Sequence, residues 1–139
     1  MNRADERKWI TKLIFQNDFN EFDYSMIEDV IDKHNIKLSK FAYNSIESIL
    51  NNKEKIDEII DSKLIGRKTQ DLPAIERAVL RVSINEFYIQ KTVPVSVSIN
   101  EAVENIKIFS IGNSHKLING ILSSVAKDMK WQKPLQLSN

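Results

Sequence analysis

The sequence predicts an all-α protein, and three observations carry that expectation. Every long apolar pattern recurs at three and four residues, the spacing of one helical face. The one passage with strand-like alternation, residues 92–98 (TVPVSVS), contains Pro94, which cannot donate to a ladder, and no second strand is available to pair with it. Only three glycines and three prolines occur in 139 residues, and no tight glycine turn joins two alternating segments. The length fits a single domain, 1–139, and 42% apolar with 28% charged residues is the composition of a chain that folds on its own.

Seven helices follow in order. Trp9, Ile10, Leu13, Ile14 and Asn17 form the stripe of the first, about residues 3–17, with Arg3, Arg7, Lys8 and Lys12 expected on its wet side. Ser25 and Glu28 have capping-box spacing and are expected to open a second helix carrying Ile27, Val30 and Ile31, which ends near His34 and Asn35. Ser39 is expected to cap a third (Phe41, Ala42, Ile46, Ile49, Leu50) and Asn52 a fourth (Ile56, Ile59, Ile60, Leu64), the two forming a helical hairpin. The polar stretch 66–72 (GRKTQDL) reads as a long connection.

Pro73 suits the first position of a fifth helix, where its missing N–H has no helical partner to lose. From there to Lys91 apolar residues cover more than one face, as in a helix enclosed by others and bent or broken midway. Residues 92–98 are expected to be a connector, with Ser98 and Glu101 capping a sixth helix that turns Ile99, Ala102, Val103 and Ile106 inward. After the FSIGN turn, Asn113 or Ser114 caps a seventh helix, and the tail from residue 130 is expected to fray.

The composition excludes several kinds of chemistry. With no cysteine there is no disulfide, thiolate metal site or cysteine nucleophile, which suits a reducing cytoplasm. The opening residues are charged and no apolar run is long enough for a membrane span, so neither secretion nor membrane insertion is expected. No GxxxxGK[ST], GxGxxG, HExxH or GxSxG motif is present, and the two histidines, His34 and His115, lie far apart in sequence. The expectation is a protein that is not an enzyme and holds no metal or cofactor. Lys and Arg number 20 against 19 Asp and Glu, so attraction to nucleic acid has to come from local clustering.

Two clusters qualify. Arg3, Arg7 and Lys8 crowd the start of the first helix, although Asp5 and Glu6 interleave with them, so a phosphate contact and an ordinary mixed face both remain open. Asn113, Ser114, His115 and Lys116 converge on a helix start, a constellation suited to an anion or to a plain cap.

Three segments carry a resemblance to a known family. Residues 75–87 (IERAVLRVSINEF), 93–109 (VPVSVSINEAVENIKIF) and 113–122 (NSHKLINGIL) are similar to the C-terminal half of NusB proteins, in the family's order. The N-terminal half resembles the family through its basic first helix, which reaches an aromatic residue at Phe15. The resemblance implies a bundle of about seven helices in two subdomains, here helices within about 3–65 and about 73–129. It implies a transcription antitermination factor that binds the boxA element of nascent RNA with ribosomal protein NusE. Such a factor works in the RNA polymerase antitermination complex with other Nus factors, notably in ribosomal RNA operons. The alternative is a helical scaffold that binds proteins only.

Residue by residue, the resemblance implies RNA contacts at Arg3, Arg7, Lys8, Phe15, Arg77 and Arg81, and at Asn113, Ser114, His115, Lys116 and Leu117, with Glu76 at the NusE contact. Where some family members carry Asp and Phe, this chain has Asn113, which removes a negative charge, and Leu117, which removes a stacking surface. Single-stranded RNA is the target class whose bases are open to side chains.

Overall fold

A computed structural model describes the backbone of residues 1–110 and 112–137, with side chains to residue 129 apart from Ile111. Seven α-helices lie among these residues: α1 (Arg3–Asn17), α2 (Ile27–Asp32), α3 (Lys40–Asn51), α4 (Lys53–Asp61), α5 (Ala74–Ile84), α6 (Val95–Phe109) and α7 (Ser114–Leu137). Short 3₁₀ turns occupy Tyr24–Met26 and Thr69–Asp71, a π-helical turn occupies Asn85–Ile89, and no strand occurs among the described residues. The fray expected from residue 130 falls on side chains outside the described residues, and residues 138–139 are outside them altogether.

Several helix starts differ from the capping signals. Asn2 caps α1, its side chain accepting from the Asp5 N–H at 2.8 Å. Ser25 does not open α2. Asp23 accepts from the Ser25 N–H at 3.0 Å and starts a 3₁₀ turn, so α2 begins only at Ile27. Ser39 precedes α3, but its hydroxyl donates to Glu6 at 2.8 Å and ties α3 to α1. The Asn52 amide turns back to the Ser48 carbonyl at 2.8 Å and does not cap α4.

Pro73 and Pro94 each stand just before a helix, at φ −53° and −56°, and neither needs a side-chain cap. The connector expected over residues 92–98 therefore ends at Pro94. Val95, Ser98, Ile99 and Ala102 keep helical spacing and point inward, which overrides the alternating look of VSVS. Ser98 sits within α6 as a fully buried hydroxyl rather than as its cap.

Two apolar cores meet at α5. One gathers Ile10, Leu13 and Ile14 of α1, Ile27, Val30 and Ile31 of α2, and Ala42, Ile46 and Ile49 of α3 against Ala78 and Val82. The other gathers Ile56 and Ile60 of α4, Ile106 of α6, and Ile118, Leu122 and Val125 of α7 against Val79, Leu80 and Ile84. Burial of α5 among the other helices agrees with its many-sided apolar pattern. The expected α3–α4 hairpin does not form one packing unit, because the faces of those helices enter different cores. The packing boundary falls at Asn52, not in the polar stretch 66–72, whose Thr69 and Leu72 are buried on the second core side.

The expected break in the fifth helix is the π turn. Gln90 donates to the Asn85 carbonyl at 2.8 Å, the longer reach of a π turn. Asn85, Glu86 and Phe87 of this turn are all buried, continuing the enclosure that already buries Ala78 to Ile84 of α5. Lys91 closes the turn in the left-handed region at φ 57°.

Candidate nucleic-acid interface

The outer face of α1 is basic and aromatic. Lys12 is exposed, and its ammonium lies 4.5 Å from the centroid of the Trp9 ring and 6.0 Å from that of Phe109 at the end of α6. Phe15 and Phe19, one turn apart, have ring centroids 5.0 Å apart, and Phe19 is 64% exposed. Lys8 stays on this face, 3.9 Å from Asp5, a half-exposed pair too weak to withhold it from a phosphate. Arg3 is exposed at the helix start, with its guanidinium 3.7 Å from the Phe41 ring centroid. On the rim, Trp9 contacts His34, whose ring nitrogen lies 3.2 Å from Gln16.

Arg7 does not belong to this face. It is 4% exposed, and its Nε donates to Glu86 at 2.7 Å, with Glu101 3.7 Å away. The spacing explains the correction: Arg7 stands three, four and seven residues before Ile10, Thr11 and Ile14, all buried. Glu86 is 1% exposed and also accepts from Ser98 at 2.8 Å. Burial pushes the Glu86 carboxyl up, Arg7 and Ser98 pull it back only in part, and Glu101 adds to the rise.

Arg77 and Arg81 are likewise committed internally. Arg81, 3% exposed, forms two bonds of 2.9 Å to Asp57 and bonds of 2.9 and 3.0 Å to Asp18. Arg77 reaches Asp18 at 3.2 Å and donates to the carbonyls of Leu72 and Gln70 at 2.8 and 3.1 Å. Burial pushes Asp18 up, but Arg81 and Lys53 more than offset it and hold the carboxyl below the usual range. α1 and α5 are thus antiparallel and tied at both ends, by Arg7 to Glu86 and by Asp18 to Arg77 and Arg81. The expectation that these arginines face solvent is corrected by burial and pairing.

The second cluster is a turn beside the first. Phe109 ends α6 next to Lys12, and the chain returns through Gly112, φ 101°, to start α7 at Ser114. Asn113 and Lys116 are exposed, while His115 and Leu117 are half-buried. Lys116 donates its backbone N–H to the Asn113 carbonyl at 3.0 Å, closing the first turn of the helix. Ser114 donates its hydroxyl to Glu76 at 2.9 Å, and Glu76 is only 7% exposed. Next to the turn lies an open cleft of about 270 Å³ lined by Lys63, Lys116, Leu117, Gly120, Ile121 and Ser124.

The fold therefore brings Lys12 on the outer face of α1 within 6.0 Å of Phe109, which precedes the second cluster in the chain, and withdraws three arginines from that face. It adds Trp9, Phe19 and Phe109, which sequence reasoning did not place at the site. For Trp9 and Phe19 the signal was available, since Trp9 to Lys12 and Phe15 to Phe19 are helical neighbours. Phe109 could not be found that way, because its contact with α1 crosses the fold. Cations beside flat rings bind a phosphate backbone by charge and bases by stacking. Among the described residues no cluster of three or more His, Asp or Glu is placed to hold a metal, and no helix is long and apolar enough to cross a membrane.

Comparison with known proteins places the chain among relatives of the same length. A model of the NusB family matches residues 4–127. The transcription antitermination protein NusB of Bacillus pumilus is 32% identical, the match covering 95% of this chain and all of that protein. Among solved structures, NusB of T. maritima is 31% identical over 91% of this chain and 92% of its own, with a TM-score of 0.78. A NusB chain solved with NusE and double-stranded RNA shares the fold at a TM-score of 0.79, 22% identical over 92% of this chain and 99% of its own.

Proposed function

Since the chain belongs to the NusB family, we propose that it is a transcription antitermination factor that binds boxA-type single-stranded RNA together with NusE. It acts by binding rather than catalysis, in the cytoplasm, within an RNA polymerase complex containing other Nus factors. Its product is read-through of terminators, notably in ribosomal RNA operons.

The observation that carries this reading is the junction of the outer face of α1 with the 109–116 turn, where the Lys12 ammonium lies within reach of both Trp9 and Phe109. Arg3, Lys8, Lys12 and Lys116 meet phosphates, and Phe15, Phe19 and Trp9 offer ring faces to unstacked bases. Each such stack contributes about 1–3 kcal/mol. Asn113 and His115 stand where a base edge passes the start of α7. Arg7, Arg77 and Arg81 serve by holding α1 against α5, so that this surface is rigid before RNA arrives.

Filter binding of a boxA-containing strand and a scrambled strand, with and without NusE, tests the proposal. The expected result is preference for boxA, tightened by NusE, with affinity falling steeply in salt. NusE binding with no RNA affinity under any condition would leave a protein-binding scaffold in its place.

A further inference from the structure

We propose that Glu76 is a positioning residue for RNA binding, holding the 110–114 turn in place through Ser114 rather than meeting a partner itself. The inference rests on the reading that Asn113 and Lys116 contact RNA.

Glu76 lies in the first turn of α5, deep enough to be 7% exposed, yet its carboxylate bonds to a residue 38 positions away. The bond falls on Ser114, the first residue of α7, at 2.9 Å, and the Ser114 hydroxyl is also 3.3 Å from that of Ser110. One carboxylate therefore sits between the N-terminal ends of two helices, where the free N–H groups and macrodipoles favour an anion. No described cation forms an ion pair with it.

Among its described residues, the outer side of the turn carries little packing. Gly112 and Asn113 are exposed, and Gly112 adopts φ 101°, a conformation that lets the chain reverse but fixes nothing by packing. The proposed RNA groups flank the anchor: Asn113 immediately precedes Ser114, and Lys116 follows it by two residues and closes on the Asn113 carbonyl. If the anchor is released, these two groups lose their common position without either being altered. A direct contact fits less well, since a partner can reach little of a carboxylate so buried and already engaged.

The experiment combines Glu76→Ala, Glu76→Gln, Ser114→Ala and the Glu76→Ala/Ser114→Ala double variant in the full chain. Affinity for boxA RNA, affinity for NusE and amide hydrogen exchange over residues 114–117 are measured for each. Glu76→Ala is expected to weaken RNA binding about tenfold, equivalent to about 1.4 kcal/mol. Ser114→Ala acts in the same direction. The double variant is no worse than the weaker single one, because both remove one interaction. Glu76→Gln keeps an oxygen acceptor and recovers most of the affinity. Exchange over residues 114–117 accelerates in Glu76→Ala and Ser114→Ala, whereas a Lys116→Ala control lowers affinity with exchange unchanged.

Loss of NusE binding in both Glu76 variants, with Ser114→Ala unaffected, would overturn the inference in favour of a direct partner contact. Parent-like RNA affinity and exchange in Ser114→Ala would overturn it even if Glu76→Ala fails to fold. If the parent protein binds no RNA with or without NusE, the reading of the site and this inference fall together.

Discussion

Replacing Arg7 should damage the fold before it damages RNA binding. Arg7 is the cation bonded to Glu86, a carboxylate 1% exposed whose one other hydrogen bond among the described residues comes from Ser98. Arg7→Ala leaves an unpaired buried charge, and breaking such a pair costs about 3–5 kcal/mol. Glu86 relieves part of this by taking a proton, since burial already raises its carboxyl and Arg7 is the largest influence opposing that rise. Taking about 3 kcal/mol, and about 3 °C per kcal/mol for a chain of this size, the melting temperature falls by about 10 °C. The sign with pH follows from the raised carboxyl. In the folded variant Glu86 holds its proton to higher pH than in the unfolded chain, so stability falls as pH rises from the ordinary carboxylate range through the folded value. Arg7→Met with Glu86→Gln removes both charges and should regain most of the loss. The assays are thermal and denaturant melts across pH, and salt-dependent RNA titration of whatever fraction remains folded. An Arg7→Ala protein that melts like its parent while its RNA salt dependence flattens would refute this reasoning, because Arg7 would then be meeting a phosphate.

The exposed cations should behave in the opposite way. Lys8→Ala or Lys12→Ala is expected to change stability by less than about 0.5 kcal/mol. Each should flatten the dependence of log affinity on log salt by about 0.7 for a single strand, equally for boxA and scrambled RNA. Phe19→Ala, at a ring 64% exposed, should leave the melt almost unchanged and weaken single-strand binding by about 1–3 kcal/mol in a fluorescence titration. Asp18 is held below the usual carboxylate range, so its stabilising contribution is present above its unfolded value and is lost as pH falls through the folded one. Asp18→Asn should therefore lower the denaturant midpoint at neutral pH and flatten its decline in acid. Lys91→Gly should raise the melting temperature slightly, since φ 57° costs a side-chain-bearing residue about 1 kcal/mol and glycine's greater unfolded freedom offsets only part of that gain.

Much of the fold was legible because helical burial is written locally. The stripe of α1, the break in the fifth helix and the proline ahead of α5 each depend on residues within a turn or two of one another. Capping signals were less dependable. Ser25, Ser39, Asn52 and Ser98 all had helix-start chemistry within reach, but their hydrogen bonds went to Asp23, Glu6, Ser48 and Glu86 instead. In three of those four the hydroxyl donates to a carboxylate, and two of these carboxylates, Glu6 and Glu86, are brought by another helix. VSVS in residues 95–98 looked extended because β-branched residues alternate, yet the next turn of the pattern, through Ile99 and Ala102, was helical.

The site divides along the same line. Charge and residue type along α1 and residues 113–117, together with the resemblance of the C-terminal half to NusB, were readable from the chain, because each is a property of neighbours in sequence. Which arginines face solvent was not. Arg3 and Arg7 are alike in type and only four residues apart, but Arg3 ends exposed over Phe41 while Arg7 ends 4% exposed against Glu86. That outcome depends on Glu86 arriving from residue distance 79 through a π turn. By itself the sequence determined the helices, the family and the residue types available for RNA. Only the tertiary structure decided which charges are neutralised inside and which remain outside, because pairing depends on distance in space and on burial, and neither is a property of spacing along the chain.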